Sequence, residues 1–358
     1  MLKGGITNTY GKNLRFSIFG ESYGDCVGCT IDGLPAGFAP DFDFVNRELS
    51  RRSPGAYIGS TARRERDEYK VLSGMYNERT TGMPLTVIFL NNDVDSSSYI
   101  NNIARPGHAD FAAYRKYHGY NDPRGGGAFS GRLTAALVFA GAIAKQLLTK
   151  SGIEVISHVA SIGHISDSKF DPVMKEIPDL DPSFPLVDNS LRGEFDAMLT
   201  SVREAGDSIG GTVEAAAVNI PIGVGEPYFR GFESCLASIL YSIPGVHGVE
   251  FGAGFAFSVM RGSEANDQYL YGGSTSTNNS GGINGGISNG MPVIFRVAFR
   301  PVPTVFTEQS MLDLETSEPI LAAAKGRHDA CILPRGCVIV ECAAAICIYD
   351  LLLQTKLN

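Results

Sequence analysis

The chain has 358 residues, a formal net charge of −8, 44% apolar and 19% charged residues, 42 glycines and no tryptophan. That length supports a sizeable buried core, and the composition excludes a disordered chain. The negative balance argues against a generic nucleic-acid or anionic-membrane partner, so an anionic ligand needs a local cationic pocket.

The opening residues 1–14 carry no apolar run of the kind a secretory leader needs. The seven cysteines are an odd number, which fits reduced thiols and a cytoplasmic protein. Residues 13–19 alternate apolar and polar, a strand pattern, and 26–32 form a second strand closed by the turn at 33–37. Cys26 and Cys29 fall in that second strand. One C-x-x-C is half a zinc site at most, and no metal is expected. Residues 41–52 have helical spacing and stop before Ser53-Pro54-Gly55. Residues 70–73 and 84–90 read as strands.

The alanine-rich run 133–150 is the clearest helix. A strand at 211–220 stops at Pro221, a helix at 232–242 stops before Pro244, a strand spans 293–299, and a last helix spans 337–353. The two most apolar runs are broken by Lys145 and by Glu341 and Asp350, and are short for a membrane span; they are expected to be buried helices. Strands and helices alternate without a strand–helix–strand rhythm. This predicts an α+β fold with antiparallel sheet, and no interior boundary divides residues 1–358, so a single domain is expected.

Five segments are polar or glycine-rich beyond what packing asks for: 20–24 (GESYG), 51–55 (RRSPG), 105–110 (RPGHAD), 124–132 (RGGGAFSGR), and 281–290 taken with 326–329 and Arg335. A glycine run before a helix exposes backbone N–H groups and can hold phosphate, or can be merely a loop of unusual geometry. Neither glycine loop is a Walker P-loop or a dinucleotide fingerprint. Arg51, Arg52, Arg105, Arg132, Arg327 and Arg335 sit beside Gly, Pro or His rather than on solvated helix faces. Arginine's planar fork pairs with carboxylate and phosphate, so this set suits a small polyanion. His108 and His328 lie near Asp110 and Asp329 and are candidates for proton transfer, whereas His118, His158, His164 and His247 read as structural.

In order and along nearly the whole length, GESYGDCVGCTIDGLPAG, SRRSPG, TTGMP, ARPGHADF, RGGGAFSGRLTA, GVEFGAGF, GGINGGISNGMP and KGRHDACILPRG resemble the motifs of chorismate synthases. The resemblance implies a single α+β domain of β-α-β sandwich type, with antiparallel sheets in the interior and helices outside, assembled as a homotetramer. It implies the anti-1,4-elimination of phosphate from 5-enolpyruvylshikimate 3-phosphate to give chorismate, with reduced FMN required but not consumed. NADPH or an outside reductase is the reductant. Carried over by position, Ser22, Arg52, Arg105, Arg132 and Arg335 bind the anionic substrate. His108 protonates the reduced flavin, and Asp329 assists proton transfer at its N5. FMN contacts come from Ala128, Phe129, Ser130, Pro244, Gly245, Gly285, Arg300, Pro301, Val302, Pro303, Thr304 and Arg327.

Several positions depart from the family pattern. Tyr23 replaces the histidine that protonates the departing phosphate; tyrosine has a pKa near ~10 against ~6.5, so it is a donor but a poor cation. Ala128 stands where a basic or polar residue is common, Ile58 where a second binding arginine is common, and Arg300 where lysine is usual. Two readings follow: an active, slowed enzyme, or a silent homologue that still binds FMN or substrate. An unrelated phosphate-binding protein is a third.

Overall fold

The computed structural model describes residues 8–55, 57–60, 67–91, 102–174, 176–323 and 329–355. One five-stranded antiparallel sheet has the order β1-β2-β3-β7-β4, from Thr9–Tyr10, Arg15–Gly20, Cys26–Asp32, Leu85–Leu90 and Tyr69–Ser73. A second, also antiparallel, has the order β10-β9-β11-β15-β12, from Ile165–Ser166, Glu154–Ile162, Gly211–Val218, Val293–Phe299 and Val246–Phe251. Smaller ladders join β5 (Met75–Tyr76) to β6 (Arg79–Thr80), β13 (Ile283–Asn284) to β14 (Ile287–Ser288), and β8 (Ile103–Ala104) to β16 (Glu308–Asp313), which also pairs with β17 (Pro319–Ala323). The helices are α1 (Phe42–Arg52), α2 (Asp110–Lys116), α3 (Thr134–Thr149), α4 (Arg192–Glu204), α5 (Phe232–Leu240), α6 (Gly262–Ala265) and α7 (Leu333–Gln354).

The α+β class and the antiparallel sheets are as expected, but the layer order is reversed. α3 lies against α7; α3 packs on β3 and β7 of the first sheet, and α7 on β9 and β11 of the second. The two helices therefore lie between the sheets, not outside them. The reason is compositional. Both are apolar all round, with nearly every side chain buried, and such a helix needs cover on every side. The runs Gly131–Thr149 and Leu333–Gln354 are in fact long and apolar enough to cross a membrane, contrary to the sequence expectation, but 83% of each window is buried inside the protein. Glycine lets them approach closely: a Cβ on Gly141 would lie 2.1 Å from Cys342 Cβ.

Local chemistry explains the main boundaries. Asp41 Oδ1 accepts from the Phe44 backbone N–H at 3.0 Å and caps α1. Ser53 turns extended (ψ 147°), as a residue before proline does, and ends it. In β3, Val27, Cys29 and Ile31 face the core; Cys29 is a packing residue, and its thiol is pushed up by burial. α7 starts four residues before its predicted start. Pro334 sits in the first turn, where its missing N–H costs nothing, and the Phe299 ring packs on Gly336.

One buried charge cluster ties the layers together. Glu341 of α7 receives Arg51 of α1 at 2.7 and 2.8 Å, Lys145 of α3 at 2.7 Å, and the Ser157 backbone N–H and hydroxyl of β9 at 3.1 and 2.9 Å. Glu48 takes the other sides of Arg51 and Lys145. Arg51, read from sequence as one of the ligand-facing cations, belongs here.

Candidate active site

The segment after β2 is fixed from below. Asn91 Nδ2 donates to the carbonyls of Glu21 (3.0 Å) and Gly24 (2.8 Å), at the two ends of the GESYG turn. The Ser22 N–H donates to Gly127 O at 3.1 Å, and its hydroxyl to Arg124 O at 3.3 Å. Gly125, Gly126 and Gly127 adopt φ of 62°, 97° and 53°, the left-handed region that glycine enters without penalty. Gly125 needs this for a second reason: a Cβ there would lie 2.0 Å from the Tyr23 ring. The first glycine loop is thus the bed on which Ser22 and Tyr23 rest. Ala128 and Phe129 are exposed at its end, and Ser130 accepts from the Arg132 N–H at 3.2 Å.

Three of the predicted substrate arginines converge above that bed. Arg52 and Arg132, at 4% and 5% exposure, are bridged by the Asp67 carboxylate. Arg52 Nε also donates to Thr134 Oγ1 and Arg132 Nε to Asn91 Oδ1, both at 3.2 Å. Arg335 Nε donates to the Arg52 carbonyl at 2.7 Å, and its Nη1 to Asp329 at 2.9 and 3.0 Å. The stretch carrying Asp329 is pinned by Tyr57, whose hydroxyl donates to Cys331 O at 2.6 Å, and by the Ala330 N–H to Gly59 O at 2.8 Å. Burial opposes charge on Asp67, but Arg52 and Arg132 outweigh it and hold the carboxyl below its ordinary value. Burial lowers the Arg52 guanidinium; Asp67 offsets part of this, while Arg335 and Arg132 add to it. Burial likewise opposes the Arg335 charge, and Asp329 reverses it.

His108 belongs to a second group. Its Nδ1 is 3.1 Å from Pro106 O and its Nε2 2.7 Å from Thr304 Oγ1. A carbonyl can only accept, so Nδ1 carries the proton in the neutral ring and Nε2 accepts from the Thr304 hydroxyl. Arg300 Nη1 donates to Gly107 O at 2.8 Å. Arg105 grips Asp110 through Nε (2.7 Å) and Nη2 (2.9 Å), so this arginine already holds a carboxylate. The Arg300 N–H donates to Gly245 O at 2.9 Å, Val302 O accepts from Ser208 at 2.6 Å, and Gly245 has φ of 93° with Ile332 and Phe299 beside it. The end of β15 thereby joins the two groups: Phe299 packs on Gly336 of α7, and Arg300 to Thr304 continue to His108.

Gly285 is not in this assembly. It lies in the β13–β14 hairpin beside the start of β15 and of α5, whereas Arg300 and Gly245 lie at their far ends. Arg327 and His328 fall outside the described residues. Ile58 is 39% exposed. Sequence reading missed Asp67, Asn91 and Thr134. Asp67 follows a run of charges that resembles a solvated face, and its one distinguishing mark is its place just before an apolar strand.

A family model described as chorismate synthase matches residues 14–353. The chorismate synthase of Dehalococcoides mccartyi is 43% identical over 356 residues, spanning 98% of this chain and 97% of the relative. That of Thermococcus gammatolerans is 45% identical over 354 residues, spanning 97% and 98%. A crystal structure of chorismate synthase superposes with a TM-score of 0.75 at 29% identity, over 96% of this chain and 93% of that one.

Proposed function

The chain belongs to the chorismate synthase family and is a carbon–oxygen lyase that forms chorismate from 5-enolpyruvylshikimate 3-phosphate, and on that premise we propose how its residues divide the work. The observation that carries the assignment is a convergence of cations. Among the described residues, the guanidiniums of Arg52, Arg132 and Arg335 gather in a largely buried cluster with the Asp67 and Asp329 carboxylates. A substrate with two carboxylates and a phosphate offers groups that match these forks. Ser22 and Tyr23, carried on the glycine bed, are assigned to the substrate's phosphate end, with Tyr23 as donor toward the leaving phosphate. Arg105 joins by sharing its fork with Asp110.

Reduced FMN fits the second group. Gly245 leaves a backbone face without a side chain and Arg300 offers a cation, and Ala128 and Phe129 are exposed at the end of the first glycine loop. When bound, FMN supplies transient electron density to the substrate and a proton acceptor at N5. Arg300 and Thr304 hold the cofactor, with Pro244, Pro301, Val302 and Pro303 shaping the wall. His108, its Nδ1–H anchored on Pro106 O, takes up a second proton at Nε2 and would pass that proton on from there. Asp329, held by the Arg335 guanidinium, steers the ring proton. NADPH or a separate reductase would supply the electrons that FMN needs when bound. A contiguous core from Leu14 to Leu351 supports one domain, and the buried apolar helices support a cytoplasmic protein. Bare aromatic side chains such as Phe229 (95% exposed) and Phe255 (84%) support assembly into a tetramer.

The test is anaerobic turnover of 5-enolpyruvylshikimate 3-phosphate with reduced FMN, followed as chorismate formation. Wild-type protein makes chorismate. Tyr23→His raises the rate by on the order of 10²-fold, as restoring a general acid does. No chorismate from either protein sinks the assignment.

A further inference from the structure

Asp67 has no role in the assignment above, and at first sight it is misplaced. A carboxylate beside two guanidiniums weakens their pull on any other anion. The geometry gives it another use. Its Oδ2 takes Arg52 and its Oδ1 takes Arg132, while Ser53 Oγ donates to Oδ2 at 3.0 Å. Each arginine is held a second time at Nε, by Thr134 and by Asn91. Two long, flexible side chains from α1 and from the turn before α3 are thereby each clamped at more than one point, at a separation set by one carboxylate. Arginine loses much rotamer freedom on binding an anion, and ordering the fork in advance lowers that cost.

We propose that Asp67 is a positioning residue, a permanent internal counter-anion that sets the spacing and aim of the Arg52 and Arg132 forks for the substrate's anionic groups. The proposal rests on the assignment of these arginines to substrate binding. Charge and geometry predict opposite signs, which makes it testable. Asp67→Asn keeps the size and one acceptor oxygen but deletes the charge. If Asp67 only offsets positive charge, its loss lowers KM for 5-enolpyruvylshikimate 3-phosphate. If it positions the arginines, KM rises about tenfold or more, and more than kcat of the folded fraction falls. An unchanged or lower KM overturns the proposal. Should Asp67→Asn fail to fold, Ser53→Ala loosens the same carboxylate without removing charge. It raises KM about threefold with an unmoved thermal midpoint, and an unmoved KM overturns the proposal. Arg132→Ala in the same series separates the premises. If it leaves KM unmoved, the arginine site falls and Asp67's role with it; if it raises KM while Asp67→Asn does not, only Asp67's role falls.

Discussion

Arg51 and Arg52 are consecutive residues in the last turn of α1, yet they enter charge clusters of different kinds. Around Glu341, two cations meet two carboxylates: Arg51 and Lys145 against Glu341 and Glu48. The charges cancel, and α1, α3, α7 and β9 are joined. Closure is incomplete only at Arg51 Nε, which is buried without a partner. Around Asp67 and Asp329, among the described residues, the guanidiniums of Arg52, Arg132 and Arg335 gather where the substrate is proposed to bind. The first cluster fixes elements to one another. The second holds its cations in place for a ligand. Helical geometry makes the split possible, since adjacent side chains point about 100° apart.

The comparison breaks first, if it breaks, at Glu341. Glu341→Gln leaves two buried cations with half their counter-charge and is expected to cost about 3–5 kcal/mol in denaturant unfolding. Chorismate formation per folded molecule should be retained; a specific loss of turnover with unchanged unfolding would show that the two clusters do not divide as described. Arg132→Ala is the mirror case, with kcat/KM down roughly 10²-fold in the anaerobic assay and a smaller change in the unfolding midpoint.

Acid sharpens the contrast. Burial pushes the Glu341 carboxyl up, but Arg51 and Lys145 outweigh it and bring it to about 2. Its contribution is therefore full above its ordinary value of 4.5 and is lost as pH falls toward 2. Asp67, also lowered, acts with the same sign. His158 acts oppositely: burial lowers it, but Asp167 and Glu214 leave it raised. Its contribution is present below 6.5 and fades as pH rises through the higher folded value. Urea midpoints measured from pH 6 down to pH 3 should decline in the wild type and decline less steeply in Glu341→Gln. Parallel slopes would remove Glu341 as the source. The smallest effect belongs to the start of α1: Asp41→Ala should cost about 1 kcal/mol by the same unfolding assay while leaving KM unmoved.

Periodicity and breakers made most of the elements legible. β3, β15 and the body of α3 lie where spacing places them, because their apolar patterns need no partner to interpret. β9 was not legible, because Ser157 and His158 stand at buried positions and spoil its pattern. They are tolerable only because Glu341, Asp167 and Glu214 come from elsewhere in the chain to meet them. The layer order was hidden for a similar reason. An apolar run says that a helix is covered, not by what. In the site, arginines beside glycine and proline were readable as ligand-facing. The acids that aim them were not, since Asp67 meets Arg132 only through the fold, and Arg51 looks no different from Arg52 until Glu341 is in place.

The bare backbone contact at Gly141 and Cys342 also has a bearing on how the chain is made. Ribosomes deliver α3 early and α7 late, with β9 through β15 still to be made between them. Until α7 emerges, α3 can be covered only on the sides that face the first sheet and α1, and the surface meant for α7 stays in water. Long-range contacts of this kind close slowly and leave half-built cores open to aggregation. The nascent chain should therefore depend on chaperones most in that interval, after α3 has left the ribosome and before its partner helix has.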